Sequence, residues 1–76
     1  MEIKVCGPGC ANCTKAEKAV HEALAQSGIE ATVTKVTDFA DMARLGVLST
    51  PAIVIDGVIK SVGKVPTPGE ILTWLR

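Results

Sequence analysis

The feature that most constrains the fold of this chain is a strand–helix–strand pattern in its N-terminal half. Residues 2–6 alternate, with apolar Ile3 and Val5, as a short strand does. The apolar residues that follow recur at helical spacing, at Ala16, Ala19, Val20, Ala23 and Leu24. Residues 31–36 are rich in β-branched side chains, which favours a second strand. Such a unit brings two parallel strands together through a right-handed helical crossover.

The next segment predicts a short helix. Asp38 can cap its first turn, and Asp41 three residues later makes a loose form of the capping box. Phe39 and Met42 share a short apolar face, so we expect both in the core. Gly46 is expected to end this helix.

A hairpin and a last helix follow. Residues 52–55 and 58–62 are apolar runs joined by Asp56-Gly57, the dipeptide typical of a tight hairpin turn. An N-cap, a first-turn proline and a capping-box acid then stand at Thr67, Pro68 and Glu70. The element order is therefore β-α-β-α-β-β-α, which predicts an α/β fold with a four-stranded mixed sheet and helices packed on it. With 76 residues, we expect one domain spanning residues 1–76, too small for a large enclosed substrate cavity.

Charge and aromatic content argue against two classes of partner. Lys plus Arg and Asp plus Glu number 8 each, so the formal net charge is zero, and Phe39 and Trp74 are the aromatic residues. Nucleic-acid binding needs a positive field, so we expect no nucleic-acid partner. The apolar runs are too short to span a membrane, so we expect no membrane partner. The N-terminal segment lacks the pattern of a signal peptide, so we expect a cytoplasmic protein. We also expect a monomer.

The chemistry of the chain is expected at Cys10 and Cys13. They form a C-x-x-C that follows a strand and begins a helix. The first helical turn carries unpaired N–H groups and the positive end of the helix dipole, which stabilise a thiolate at Cys10 and lower its pKa. A thiolate is the attacking species in disulfide exchange. Cys13, one turn later and facing inward, could then resolve the mixed disulfide, and no cofactor is needed.

Two motifs together resemble a known family. C-A-N-C after the first strand and S-T-P-A before the hairpin are similar to the thioredoxin-fold superfamily, in particular its small archaeal and bacterial thioredoxin/glutaredoxin-like members. The resemblance covers essentially the whole chain and implies a thiol–disulfide oxidoreductase. It also implies that Pro51 is cis and packs against the cysteines, and that the backbone of Thr50 pairs with the substrate chain. The implied partners are protein or small-molecule disulfides and a reductase.

The chain also departs from the thioredoxin pattern. Where thioredoxins have W-C-G-P-C, residues 9–13 read G-C-A-N-C. We find no buried acid that matches the thioredoxin proton acceptor. Within the enzyme class, a glutaredoxin-like use of glutathione is the second interpretation, because residues 63–67 lead into the last helix and their N–H groups could bind a carboxylate. The glutathione signature of glutaredoxins is missing.

Cys6 and a soft-metal site give the alternative outside the enzyme class. Cys6 ends the first strand and is interpreted as a small buried hydrophobe, or as an auxiliary thiol that pairs with Cys10 under oxidation. Cu(I) takes two thiolates, and Cys6 could add a third sulfur to Cys10 and Cys13. The C-terminal helix and Thr50-Pro51 favour exchange instead, so we expect no metal. His21 is expected on the solvated face of the first helix. A redox sensor using the same pair is a further alternative.

Overall fold

Four strands and three helices follow in the predicted order. The computed structural model describes residues 1–75. The strands are β1 (Glu2–Cys6), β2 (Thr32–Val36), β3 (Ala52–Ile55) and β4 (Val58–Val62). The helices are α1 (Ala11–Ser27), α2 (Phe39–Arg44) and α3 (Pro68–Leu75). The predicted α/β class and the β-α-β-α-β-β-α order are confirmed.

The strands form one mixed sheet in the order β2-β1-β3-β4. β1 runs parallel to β2, with Ile3 opposite Val33, and antiparallel to β3. β3 and β4 form the predicted hairpin, and Asp56 and Gly57 at its turn both have positive φ, 49° and 83°. This pair of left-handed residues matches the right-handed twist of the flanking strands. β1 therefore lies in the interior of the sheet, between β2 and β3. The loop after β1 begins at the edge of the sheet where β2 ends and β3 starts.

One face of the sheet is covered by α1 and α3. Ile3 and Val5 of β1 and Ile53 and Ile55 of β3 point to this face because alternate residues of a strand share one side. The helices meet them with a buried set made of Ala16, Ala19, Val20, Ala23, Ile71 and Leu75. Small alanines let α1 approach the sheet closely. The predicted inward face of α1 is confirmed, with Leu24 half-buried beside it.

The opposite face has a smaller core, and here one prediction is wrong. Met42 of α2 is buried with Cys6, Val47, Ala52 and Val54. Phe39, expected beside Met42, is 68% exposed. The reason is the length of α2, which has six residues and one inward-facing position. Apolar residues after the helix supply the rest of the cover, so the ring of Phe39 is left in solvent.

Most signals at the helix ends act as the sequence predicts, but the loose capping box of Asp38 and Asp41 is only half formed, because the carboxylate of Asp41 accepts a hydrogen bond from Arg44 instead. α1 ends at Gly28, which has the left-handed φ of 70°. α2 begins after Asp38, whose carboxylate accepts hydrogen bonds from the N–H groups of Ala40 and Asp41 at 2.7 and 3.4 Å. No helix within residues 1–75 is both long enough and apolar enough to cross a bilayer.

Candidate active site

The cysteine pair lies where β1 passes into α1. Cys10 is the N-cap of the helix, with extended backbone angles of −68° and 169°. The turn before it needs a left-handed residue, and Gly9 supplies it with φ 95°. Cys10 Sγ accepts a hydrogen bond from the N–H of Cys13 at 3.2 Å. The sulfur of Cys10 thus takes the place that a Ser or Asp oxygen usually takes at a helix N-terminus.

Cys10 is the exposed member of the pair. Its pKa lies below the ordinary value for a thiol, because the side chain and the backbone N–H of Cys13 both stabilise the thiolate by hydrogen bonding, as does the backbone of Asn12. The first turn of α1 contains no acidic residue that would oppose this charge. The local structure therefore provides an accessible thiolate.

Cys13 is in the opposite environment. It is buried, with 5% of its surface exposed. Burial raises its pKa, and its hydrogen bond to Cys10 acts in the same direction. In the structure both thiols are free. The pair therefore combines one exposed sulfur whose pKa is lowered with one buried sulfur whose pKa is raised.

Gly7 is a site residue that the sequence reasoning did not single out. It is buried directly against Cys13, and a Cβ placed on it would clash with Cys13 Sγ and lie 3.0 Å from Cys13 Cβ. Only a residue without a side chain leaves room for this sulfur. The available signal is the G-P-G run that precedes Cys10.

The Thr50-Pro51 segment borders the same position. A Cβ on Gly7 would lie 3.8 Å from Thr50 Cβ, and the same Cβ would clash with Cys13 Sγ. Thr50 and Cys13 therefore both lie close to Gly7. The Thr50–Pro51 peptide bond is cis, and Pro51 is buried. The carbonyl of Pro51 accepts a hydrogen bond from the N–H of Gly63 at 2.9 Å. Within residues 1–75, the backbone N–H and C=O of Thr50 have no hydrogen-bond partner.

Comparison with known proteins identifies the family. A family model described as a thioredoxin domain matches residues 1–76. A thioredoxin of Methanothermobacter thermautotrophicus is 35% identical over 71 residues, which cover 93% of this chain and 92% of the relative. A thioredoxin of Methanocaldococcus jannaschii is 38% identical over 74 residues, covering 97% of this chain and 85% of the relative.

The chain belongs to the thioredoxin family. It is a thiol–disulfide oxidoreductase, and the adjacent Cys10 and Cys13 form the C-x-x-C that this chemistry requires. The predicted resemblance and activity are confirmed. Disulfide exchange needs a thiolate, and the lowered pKa of the exposed Cys10 favours that form of its sulfur.

The other sulfur and the histidine of this thioredoxin-family chain lie apart from that pair. Cys6 is fully buried among Met42, Val47 and their neighbours, and burial raises its pKa. His21 is exposed, with Nε2 4.0 Å from a carboxylate oxygen of Glu17. Within the part of the chain that the structure describes, no three His, Cys, Asp or Glu side chains converge on a common point. A three-sulfur site made of all the cysteines would therefore need a rearrangement of β1.

Proposed function

We propose that Cys10 is the attacking thiolate and Cys13 the resolving thiol of this oxidoreductase. The observation that carries the proposal is the unequal environment of the two sulfurs. Cys10 is exposed and its pKa is lowered, whereas Cys13 is buried and its pKa is raised. Since the thiolate is the nucleophile in exchange, the first attack belongs to Cys10.

The reaction then proceeds in two displacements. The Cys10 thiolate attacks one sulfur of a substrate disulfide, forms a mixed disulfide and releases the other substrate sulfur as a thiolate. Cys13 loses its proton and attacks Cys10 Sγ, so that the Cys10–Cys13 bond forms and the second substrate sulfur leaves. Two electrons pass from the cysteine pair to the substrate. A reductase must return them.

The same proposal gives Thr50 and Pro51 the role of holding the substrate. The backbone groups of Thr50 are available beside the sulfurs, and an extended chain can pair with such groups as an added strand. Peptide or small-molecule disulfides are the expected substrates. We further propose that the chain works as a single domain and a monomer in the cytoplasm, without nucleic-acid or membrane partners. Three cysteines, an odd number, suit a reducing compartment.

Alkylation tests the assignment of roles. The reduced protein is treated with iodoacetamide over a range of pH, and the modified cysteines are mapped by mass spectrometry. We expect Cys10 to react first, with half-maximal rate below the ordinary thiol pKa of about 8.5. Cys13 should react more slowly and only at higher pH. Faster labelling of Cys13 at neutral pH would reverse the two roles.

A soft-metal module is the competing function, because two free thiols one turn apart can bind Cu(I). Pro51→Ala separates the two functions. If Pro51 shields the sulfurs from a metal while admitting a disulfide, the variant should lose exchange activity and gain Cu(I) affinity. Ser49→Ala, in the same loop and exposed, is the control and should change neither. Native protein that binds Cu(I) tightly and reduces no disulfide would favour the metal module.

A further inference from the structure

A small cavity lies against the buried cysteine. The residues that line it include Gly7, Cys13, Glu17 and Lys35. Cys13 Sγ points to the Gly7 wall, as the clash of a Cβ at Gly7 shows. The cavity has a volume of about 70 Å³. A single water needs roughly 10–15 Å³ by the same measure, so the cavity that Cys13 lines has room for water.

Glu17 brings a carboxylate to this cavity. It follows Cys13 by four residues on α1, and side chains at this spacing are neighbours on one helix face. Its side chain is 22% exposed, and its Oε1 lies 3.3 Å from Lys35 Nζ on β2. The ion pair joins two residues that line the cavity and holds the carboxylate of Glu17 in place. The other group facing Glu17 is His21, whose Nε2 is 4.0 Å from Oε2.

The resolving step needs a group that can accept the proton of Cys13. Cys13 is buried, and burial favours its protonated form, so its attack on the mixed disulfide requires that the proton be taken away. The acid of β1, Glu2, lies exposed at the start of the strand, pairs with Lys4 at 3.5 Å and does not line this cavity.

We propose that Glu17, positioned by Lys35, accepts the proton of Cys13 through water in this cavity during the resolving step. This inference rests on the proposed roles of Cys10 and Cys13. The proton moves from Cys13 Sγ to the Glu17 carboxylate as the Cys10–Cys13 bond forms. The substrate thiolate leaves with the electron pair of the broken mixed disulfide, and Glu17 returns its proton to solvent or to that thiolate.

Stopped-flow reduction of an aryl disulfide with a coloured leaving thiolate tests this directly. The first burst of colour reports attack by Cys10 and depends on the concentration of the disulfide. The second burst reports the attack of Cys13 on the mixed disulfide and does not depend on that concentration. Proton transfer to a positioned base is worth roughly 10²–10⁴-fold, and through one water we expect Glu17→Gln to slow the second burst at neutral pH by at least about tenfold.

Controls distinguish a proton acceptor from a structural residue. Glu22→Gln, an exposed acid on the same helix, should leave both bursts unchanged. Glu17→Asp keeps the carboxylate and should recover part of the rate. The deficit of Glu17→Gln should shrink as the pH rises, because hydroxide can then remove the Cys13 proton. A deficit that stays constant with pH, or an unchanged second burst, would overturn the inference.

Failure of the proposed function would look different. If Cys10→Ser retained the first burst, or native protein gave no second burst, the roles of the cysteines would be wrong regardless of Glu17. If Glu17→Gln failed to fold, as judged by its thermal melting, Lys35→Gln would decide the matter by the same criterion. This variant removes the partner of Glu17 at a side chain that is 62% exposed, and it should also slow the second burst.

Discussion

The first N–H groups of α1 and α3 have no partner within their helix, and different side-chain atoms accept their hydrogen bonds. At α3, Thr67 Oγ1 accepts a hydrogen bond from the N–H of Glu70 at 3.1 Å, and Glu70 Oε1 accepts one from the N–H of Thr67 at 3.3 Å. At α1, the sulfur of Cys10 alone accepts from the N–H of Cys13 at 3.2 Å. A neutral sulfur is a weak acceptor, whereas hydroxyl and carboxylate oxygens are strong ones.

The two caps also differ in their proposed roles. The cap of α3 stabilises the fold, whereas the cap of α1 is the proposed attacking thiol. Glu70 has a lowered pKa because the N–H of Thr67 and the charge of Lys64 stabilise its carboxylate. Cys10 has a lowered pKa for a similar reason, but its anion is exposed and can react. On the proposed role of Cys10, α1 is capped by its reactive group and gains a strong cap only when that sulfur is ionised.

Cys10→Ser should give the largest effect. Reduction of a disulfide substrate should fall to the rate of the buffer, because the hydroxyl is not ionised at neutral pH. Stability should not fall, since Ser is a strong N-cap. Activity assays and urea unfolding under reducing conditions measure the two effects. Retained activity, or a clear loss of stability, would contradict the assignment of Cys10 as a reactive cap.

Alanine substitution of one glycine beside each helix start should have opposite effects. Gly7→Ala forces a Cβ into Cys13 Sγ and should lower the free energy of unfolding by about 1–3 kcal/mol, as overpacking does. Gly69→Ala meets no atom closer than 3.9 Å and should raise it by about 0.4–1 kcal/mol through the unfolded chain. Urea unfolding of both variants gives the comparison. Equal effects would mean that Gly7 is not a packing requirement.

Thr67→Ala should have a moderate effect on stability and none on activity. Loss of the cap should lower the free energy of unfolding by about 1 kcal/mol. Thr73→Ala is the matched control, because Thr73 is exposed on the same helix but does not cap it, and it should stay within about 0.5 kcal/mol of the native value. A fall in the exchange rate of Thr67→Ala at temperatures where the protein is folded would show that α3 takes part in the chemistry.

The pH dependence of stability should give the smallest effect. The folded-state pKa of Cys10 lies below the unfolded value of about 8.5. Ionised Cys10 therefore stabilises the fold above the unfolded pKa, and this contribution is lost as the pH falls through the folded pKa. Native protein should thus gain stability relative to Cys10→Ser as the pH rises through that window.

The comparison of native protein with Cys10→Ser isolates the contribution of Cys10 to the pH dependence of stability. Burial raises the pKa values of Cys6 and Cys13, so their stabilising contributions have the opposite sign and are lost as the pH rises. Native protein and Cys10→Ser both retain Cys6 and Cys13. Most of the effect of these two residues therefore cancels when one free energy of unfolding is subtracted from the other. Urea unfolding at several pH values measures it. A difference that falls with pH would mean that the thiolate of Cys10 is not stabilised by the fold.

Most of the fold could be predicted because its signals are local. The hairpin turn at Asp56-Gly57 and the capping box at Thr67 depend on a few adjacent residues, and both form as predicted. The burial of Phe39 could not be predicted in this way. Spacing places it on the face of Met42, but its exposure depends on how few residues α2 has and on what lies beyond that helix.

The active site divides in the same way. The position of Cys10 at a helix start follows from the change of period along the chain. The contact of Gly7 with Cys13 does not, because it depends on how closely β1 and α1 approach each other in space. The cavity shared by Cys13, Glu17 and Lys35 is lined by residues of both α1 and β2, and no sequence spacing relates a helix face to a strand residue 18 positions further along the chain.

Trapping the mixed disulfide tests the central claim most directly. Cys13→Ser is incubated with a disulfide-containing peptide, and the adduct is located by mass spectrometry after digestion. Without its resolving thiol the protein should accumulate a stable adduct on Cys10, while native protein treated in the same way should instead form a Cys10–Cys13 disulfide. An adduct on Cys6, or a Cys6–Cys10 disulfide in native protein, would contradict the assignment of the pair.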